Sequence, residues 1–379
     1  MTKAMDSGSP RVAVLIVLQD SSDESLANES GILRRVREAA LTALKESGLS
    51  SAAAQALYTE DICLRCAHWE PAWASARRAA GGTNPPADVA MQQRQSLWAC
   101  LAWCGSYRGP QDSVSGRAHY TMAQVLSELS EQVGGSAPLV VVAQGLGCLV
   151  AEAHFACLAH HAATSPASTC WPEALLSGTT STPLERGETL HSFWSIGSPI
   201  ALWLDALKAC SECTSEAVWF PKSLAVVPSP KLGSSLPEDI LCLGGRRHFW
   251  HRYDPLCCTP VTEIYTLGAT AQDVEVRLGG NTPPASFDYL KAIEHERRKE
   301  PSGARSKREA VIPLGRHLAS VLLAQSGQAK EAFDRTVERG RSSTATGTAD
   351  MSLSSRSISS SIPSSQTSAR DGEGPVSVS

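Results

Sequence analysis

Apolar residues along this chain occur in two alternating patterns, short continuous runs and helically spaced stripes. Arg11 to Leu18 (RVAVLIVL) is a continuous run of strand length, the pattern of a strand buried on both faces of a mostly parallel sheet. A polar loop is expected over Gln19 to Ser30, then a helix from Ile32 to Glu46. A short strand follows at Asp61 to Ala67, ahead of Trp69 and Trp73, and Gly81 to Ala87 (GGTNPPA) reads as a surface loop. A helix over Thr121 to Gln132 leads through Gly134 and Gly135 into a second apolar strand at Pro138 to Val142. His191 to Pro199 (HSFWSIGSP) reads as a strand ending in a tight turn, with a helix over Ala201 to Cys210. An aromatic strand is expected from His248, ending at Asp254-Pro255, then a short strand at Val274 to Leu278 and a last helix over Glu309 to Arg339. Strands alternating with helices predict an α/β fold, a mostly parallel sheet flanked by helices.

Composition divides the chain. Residues 1–10 read as a flexible N-terminus, 11–340 as one domain, and 341–379 as a tail in which serine and threonine dominate. Such a tail cannot bury enough apolar surface to offset its ordering entropy, so disorder is expected there. A hydrophobic fraction of 42%, a charged fraction of 19% and a net charge of -4 describe an ordinary soluble protein with no electrostatic case for nucleic acid. The charged run Glu294 to Lys307 reads as a solvated segment. The first ten residues are polar, unlike a secretory signal, and no apolar run approaches the length of a membrane span. A cytosolic location is expected, and with it reduced cysteines, twelve in all. Cys63-x-x-Cys66 and Cys210-x-x-Cys213 share the inner spacing of zinc knuckles but lie far apart, while Cys63, Cys66, Cys148 and Cys157 sit among apolar neighbours as small hydrophobes. No metal or cofactor is expected.

The segment richest in chemical information is Pro138 to Val150 (PLVVVAQGLGCLV), a strand feeding a two-glycine turn and then, by expectation, an amphipathic helix. In a nucleophile elbow the turn reads G-x-S-x-G and lifts a serine oxygen above the sheet. Here the frame is Ala143-Gln144-Gly145-Leu146-Gly147, and Gly145 at the nucleophile position has no side chain with which to attack. Two other readings stand beside the elbow. A dinucleotide site would use Gly145 and Gly147 as the first two glycines of G-x-G-x-x-G. Its third glycine falls on Val150, and His160 to Gly178 shows no strand ending in an acidic residue. A plain structural strand-to-helix turn is the remaining reading.

Four landmarks in order extend the pattern: Val140 to Gly147, Trp194 to Trp203 (WSIGSPIALW), the Trp250-x-x-Tyr253-Asp254-Pro255 strand end, and Ser286-x-x-Tyr289-Leu290. In this order the chain resembles lipase-like α/β-hydrolases over roughly residues 10 to 335. The resemblance implies an α/β-hydrolase-like fold and the chain order Ser, Asp, His for a triad. The departures fall on the chemistry. The nucleophile position is Gly145, the histidine position is Ser286, and the first strand ends in Gln19-Asp20 where active members carry an oxyanion-hole His-Gly pair; Asp254 alone matches the acid. An acid orients a histidine that must itself deprotonate a nucleophile, and loss of both partners removes about a millionfold in turnover. Without them, Asp254 reads as a turn residue before Pro255.

Substitutes for the missing groups are few. Cys148 lies in the first turn of the helix, off the elbow apex, and Ser198 is placed to cap the helix after it. His295 sits in a charged stretch, and His154, His160 and His161 are expected on a solvated helix surface. The resemblance therefore implies a catalytically inactive protein that acts by binding, with a protein partner favoured over a small ligand. The alternatives are an active esterase with a displaced nucleophile and a nucleotide-binding module. Gly145 should also stabilise the turn, because glycine adopts left-handed backbone without steric cost.

Overall fold

The computed structural model describes residues 11–18, 23–67, 113–163, 181–203, 243–251, 271–276 and 314–325, together with Leu236, Ile240, Asp254 and Cys257. All lie within one compact unit, Met1–Arg335. The expected loop at Gly81 to Ala87, the end of the last helix and the tail lie outside the described residues.

Six strands form one sheet: β1 (Val12–Val17), β2 (Ile62–Ala67), β3 (Leu139–Gln144), β4 (Leu190–Ile196), β5 (Gly245–Trp250) and β6 (Ala271–Glu275). The order is β2-β1-β3-β4-β5-β6, and every neighbouring pair is parallel. The apolar runs of β1 and β3 lie inside the sheet beside β4, and every residue of these three strands is buried, while the edge strand β6 is partly exposed throughout. Alternation along each strand splits the core in two. Leu15, Val17, Val141 and Phe193 face α3 (Ser113–Val133) and α4 (Leu146–Ala163), packing with Met122, Leu126 and Leu149. Val14, Ile16, Val142 and Trp194 face the other way, toward α1 (Asp23–Glu46), α2 (Ser51–Asp61) and α5 (Leu314–Gln325). The result is a three-layer α/β/α arrangement in which growth of the sheet reverses between β1 and β3.

Several sequence expectations need correction. Helix α1 begins at Asp23, inside the expected polar loop. Helix α2 has no counterpart in the sequence reading; Ser50 caps it by accepting the Ala53 N–H at 3.2 Å. The strand expected to run through the aromatic residues to Asp254 instead spans Gly245–Trp250. Likewise β6 lies at Ala271–Glu275, ahead of the expected Val274 to Leu278. Helix α4 is not amphipathic: every residue from Leu146 to Ala159 is buried, Glu152 and His154 included. The sheet lies on one side of it and α3 on another, and such a helix reads as apolar on all faces.

Candidate functional site

Ligands of open parallel sheets bind beyond the carboxyl ends of the strands, at the point where strand order reverses. That point in this chain is flanked by the ends of β1 and β3. Gly145 follows β3 with φ +55 and is buried. Its N–H donates to the Ile196 carbonyl at 2.9 Å, and its own carbonyl accepts the Cys148 N–H at 3.1 Å. A left-handed residue pinned at both ends is the expected strand-to-helix turn. Two residues on, a Cβ at Gly147 would stand 2.4 Å from the Val17 carbonyl oxygen and 2.7 Å from that of Leu18. Glycine at 147 is thus what lets the first turn of α4 press against the end of β1. Strand β4 ends similarly: Gly197, at φ +59, donates to the Phe249 carbonyl at 2.9 Å before a helical turn that starts at Ile200.

Asp254 lies beyond the end of β5 in a turn of its own. Its N–H donates to the His251 carbonyl at 2.9 Å, its carbonyl accepts the Cys257 N–H at 3.2 Å, and the His251 N–H reaches the Cys257 carbonyl at 3.3 Å. Ser286, Gln19, Asp20 and His295 lie outside the described residues, as do the side chains of His160 and His161.

Cys148 is fully buried, with its thiol directed at the Ile196 carbonyl at 3.7 Å. Burial pushes that thiol up to about 12, the Glu152 carboxylate adds to the rise, and contacts from Ile196, Ser198 and Arg246 offset part of it. So placed, it stays protonated and is a poor nucleophile. The sequence placed Ser198 as the cap of the following helix, but its buried hydroxyl makes no hydrogen bond to a backbone N–H, and Pro199 supplies the carbonyl that accepts the Trp203 N–H at 3.0 Å. His154 is not on a surface. It is buried beside His119, Nδ1 to Nδ1 at 3.3 Å, with the rings stacked. Burial holds His119 down to about 3 and His154 well below its ordinary range. Both imidazoles are therefore neutral, and one Nδ1–H donates to the other ring.

Two polar clusters escaped the sequence reading. Glu152 on α4 and Arg246 on β5 form an ion pair at 2.6 Å, both side chains buried, with the guanidinium over the Phe193 ring. On the opposite sheet face and near its amino end, His317 of α5 lies 2.9 Å from Ser192 Oγ, which is 2.8 Å from His191 Nδ1; His191 Nε2 donates to the Ile240 carbonyl at 2.9 Å. Since His191 Nε2 carries the proton, its Nδ1 accepts from Ser192 and His317 Nε2 donates to Ser192. One signal was available: Ser192, Ser195, Arg246 and His248 are polar residues inside strands, where buried groups require partners. Which partners they find is set across the sheet and not along the chain.

Among the described residues no three His, Cys, Asp or Glu side chains converge as metal ligands, and no helix is long and apolar enough to cross a membrane. No family model matches the chain, and no curated protein or solved structure matches it either.

Proposed function

We propose that this chain is an α/β-hydrolase-like protein that has lost serine-hydrolase catalysis and acts as a binding scaffold in the cytosol. The observation that carries the reading is Gly145: a left-handed, buried turn residue at the reversal point of a parallel sheet, with no atom to act as nucleophile. Left-handed backbone at a strand-to-helix turn is the strained geometry that a nucleophile elbow needs. Further support comes from order along the sheet, since Gly145 follows β3, Asp254 follows β5 and Ser286 follows β6 in sequence. This is the order in which such a triad would run.

The nucleotide-binding alternative fares worse on geometry. In a dinucleotide site the second glycine leaves room for pyrophosphate, whereas the space beside Gly147 is filled by the carbonyl oxygens of Val17 and Leu18. Two carbonyl dipoles aimed there repel an anion. A protein partner seated on the carboxyl edge of the sheet, over the β1 and β3 ends, is the binding mode we favour. The test is fluorophosphonate labelling of the purified full chain, read by mass spectrometry. No serine should be modified, and stoichiometric labelling of one serine would overturn the reading.

A further inference from the structure

A third cluster lies on the α4 side of the sheet at its carboxyl end. Ser195 of β4 and His248 of β5 are register partners, and Ser195 Oγ stands 2.9 Å from His248 Nδ1. On the far side of the ring, His248 Nε2 is 3.4 Å from the Cys257 Sγ. All three side chains are buried. One arrangement of hydrogens serves all three contacts. The thiol donates to Nε2, Nδ1–H donates to Ser195 Oγ, and the Ser195 hydroxyl donates to the Arg247 carbonyl at 3.5 Å. The reverse assignment would send the thiol proton to the Phe249 carbonyl at 3.9 Å, a longer contact.

This is the arrangement of an activated nucleophile: thiol, base within reach, and a third group that fixes the tautomer of the base. It differs in kind from the other clusters. Cys148 is fully buried beside the Glu152 carboxylate, and both burial and that charge oppose the thiolate. Ser192 and its two histidines lie near the amino ends of the strands, away from the edge where parallel sheets hold ligands. Cys257 follows β5, at that edge, and a cysteine serving only as a small hydrophobe would need no imidazole.

We propose that Cys257, with His248 as base and Ser195 as positioning residue, takes acyl groups from thioesters or activated esters. The thiol proton passes to His248 Nε2 as sulfur attacks the carbonyl carbon and the S–C bond forms. The bond from carbon to the leaving sulfur or oxygen then breaks, and the imidazolium returns its proton to the leaving group. The product is an S-acyl cysteine. This chemistry goes beyond the scaffold reading and does not depend on it, because no step involves the turn at Gly145.

The experiment uses the full chain, iodoacetamide and phenyl thioacetate from pH 6 to 9, with tandem mass spectrometry to separate Cys257 from Cys258 and Cys148 as the internal reference. Alkylation of Cys257 should run at least about 10-fold faster than that of Cys148, with one acetyl per chain from the thioester at Cys257. His248→Gln should slow both reactions by about 100-fold, within the range of general-base catalysis. Ser195→Ala, a milder change, should slow acylation and move the pH-rate profile without altering the circular dichroism spectrum. The proposal is overturned if wild-type Cys257 reacts as slowly as Cys148, or if folded Ser195→Ala or His248→Gln reacts at the wild-type rate. Serine labelling by fluorophosphonate would overturn the scaffold reading and leave this one standing.

Discussion

Acidification from pH 7 to pH 5 perturbs four buried imidazoles, and its cost in folding stability follows from their positions. His191 is held down to about 4 and His119 to about 3, in both cases first by burial, and His154 and His317 lie well below their ordinary range for the same reason. His191 and His317 also face the Arg247 guanidinium, which adds to the depression. In the unfolded chain each imidazole protonates near pH 6.5. Below that pH the unfolded state therefore binds protons that the folded state refuses, so stability is complete above pH 6.5 and falls as the pH drops toward 4. Each such group contributes a slope of about 1.4 kcal/mol per pH unit. The Glu152 carboxyl is raised by burial, partly offset by its Arg246 partner, and so acts in the opposite sense by at most one proton. Four protons against at most one leave a net slope of about 4 kcal/mol per pH unit at its steepest, set against a total of about 5–15 kcal/mol for a domain. Urea titrations followed by circular dichroism at pH 7, 6 and 5 measure this directly. The midpoint should fall steadily, and His317→Gln should remove about one proton's worth of the slope. A midpoint unchanged between pH 7 and 5 would refute the placement of these histidines.

The remaining predictions concern the elbow and the buried ion pair. Gly145→Ser should lower the melting temperature, at a cost of about 1–3 kcal/mol for a side chain in left-handed backbone; a rise would contradict the turn geometry. Glu152→Ala should cost about 3–5 kcal/mol by leaving the Arg246 guanidinium buried without its carboxylate, whereas replacing both residues by leucine should cost far less. Chemical denaturation of the two variants side by side tests this, and equal losses would show that the pair itself carries little of the effect.

Much of the sheet was legible because β1 and most of β3 are continuous apolar runs, and a strand buried on both faces needs no other signal, while β4 showed itself by Phe193, Trp194 and Ile196 ahead of a Gly-Ser-Pro turn. The turn after β3 was legible for a related reason: only glycine suits both the left-handed residue at 145 and the close approach at 147. What stayed hidden depends on partners distant in sequence. The pairs Glu152 with Arg246 and His154 with His119 make α4 look amphipathic on paper, although each polar group is buried against its mate. In the same way Arg246 and Arg247 disguised the start of β5, since nothing nearby in the chain announces Glu152 or the Trp194 ring that receives Arg247. His248 was read as one of an aromatic run, and its place between Ser195 and Cys257 emerges only once β4 and β5 are in register.

Strand β1 is an interior strand, between β2 and β3, and precedes every other strand of this sheet in the chain. Its neighbour β3 begins at Leu139, and α5, which covers its far face beside α1, begins at Leu314. With synthesis at about 5–20 residues per second, the roughly 300 residues from β1 to α5 take on the order of 15–60 s to appear. For that interval Val12 to Val17, six uncharged apolar residues of which four are β-branched, has the composition of an aggregation-prone segment. The elements that can cover it soonest are α1 and β2, which follow it directly in the chain and are complete by Ala67.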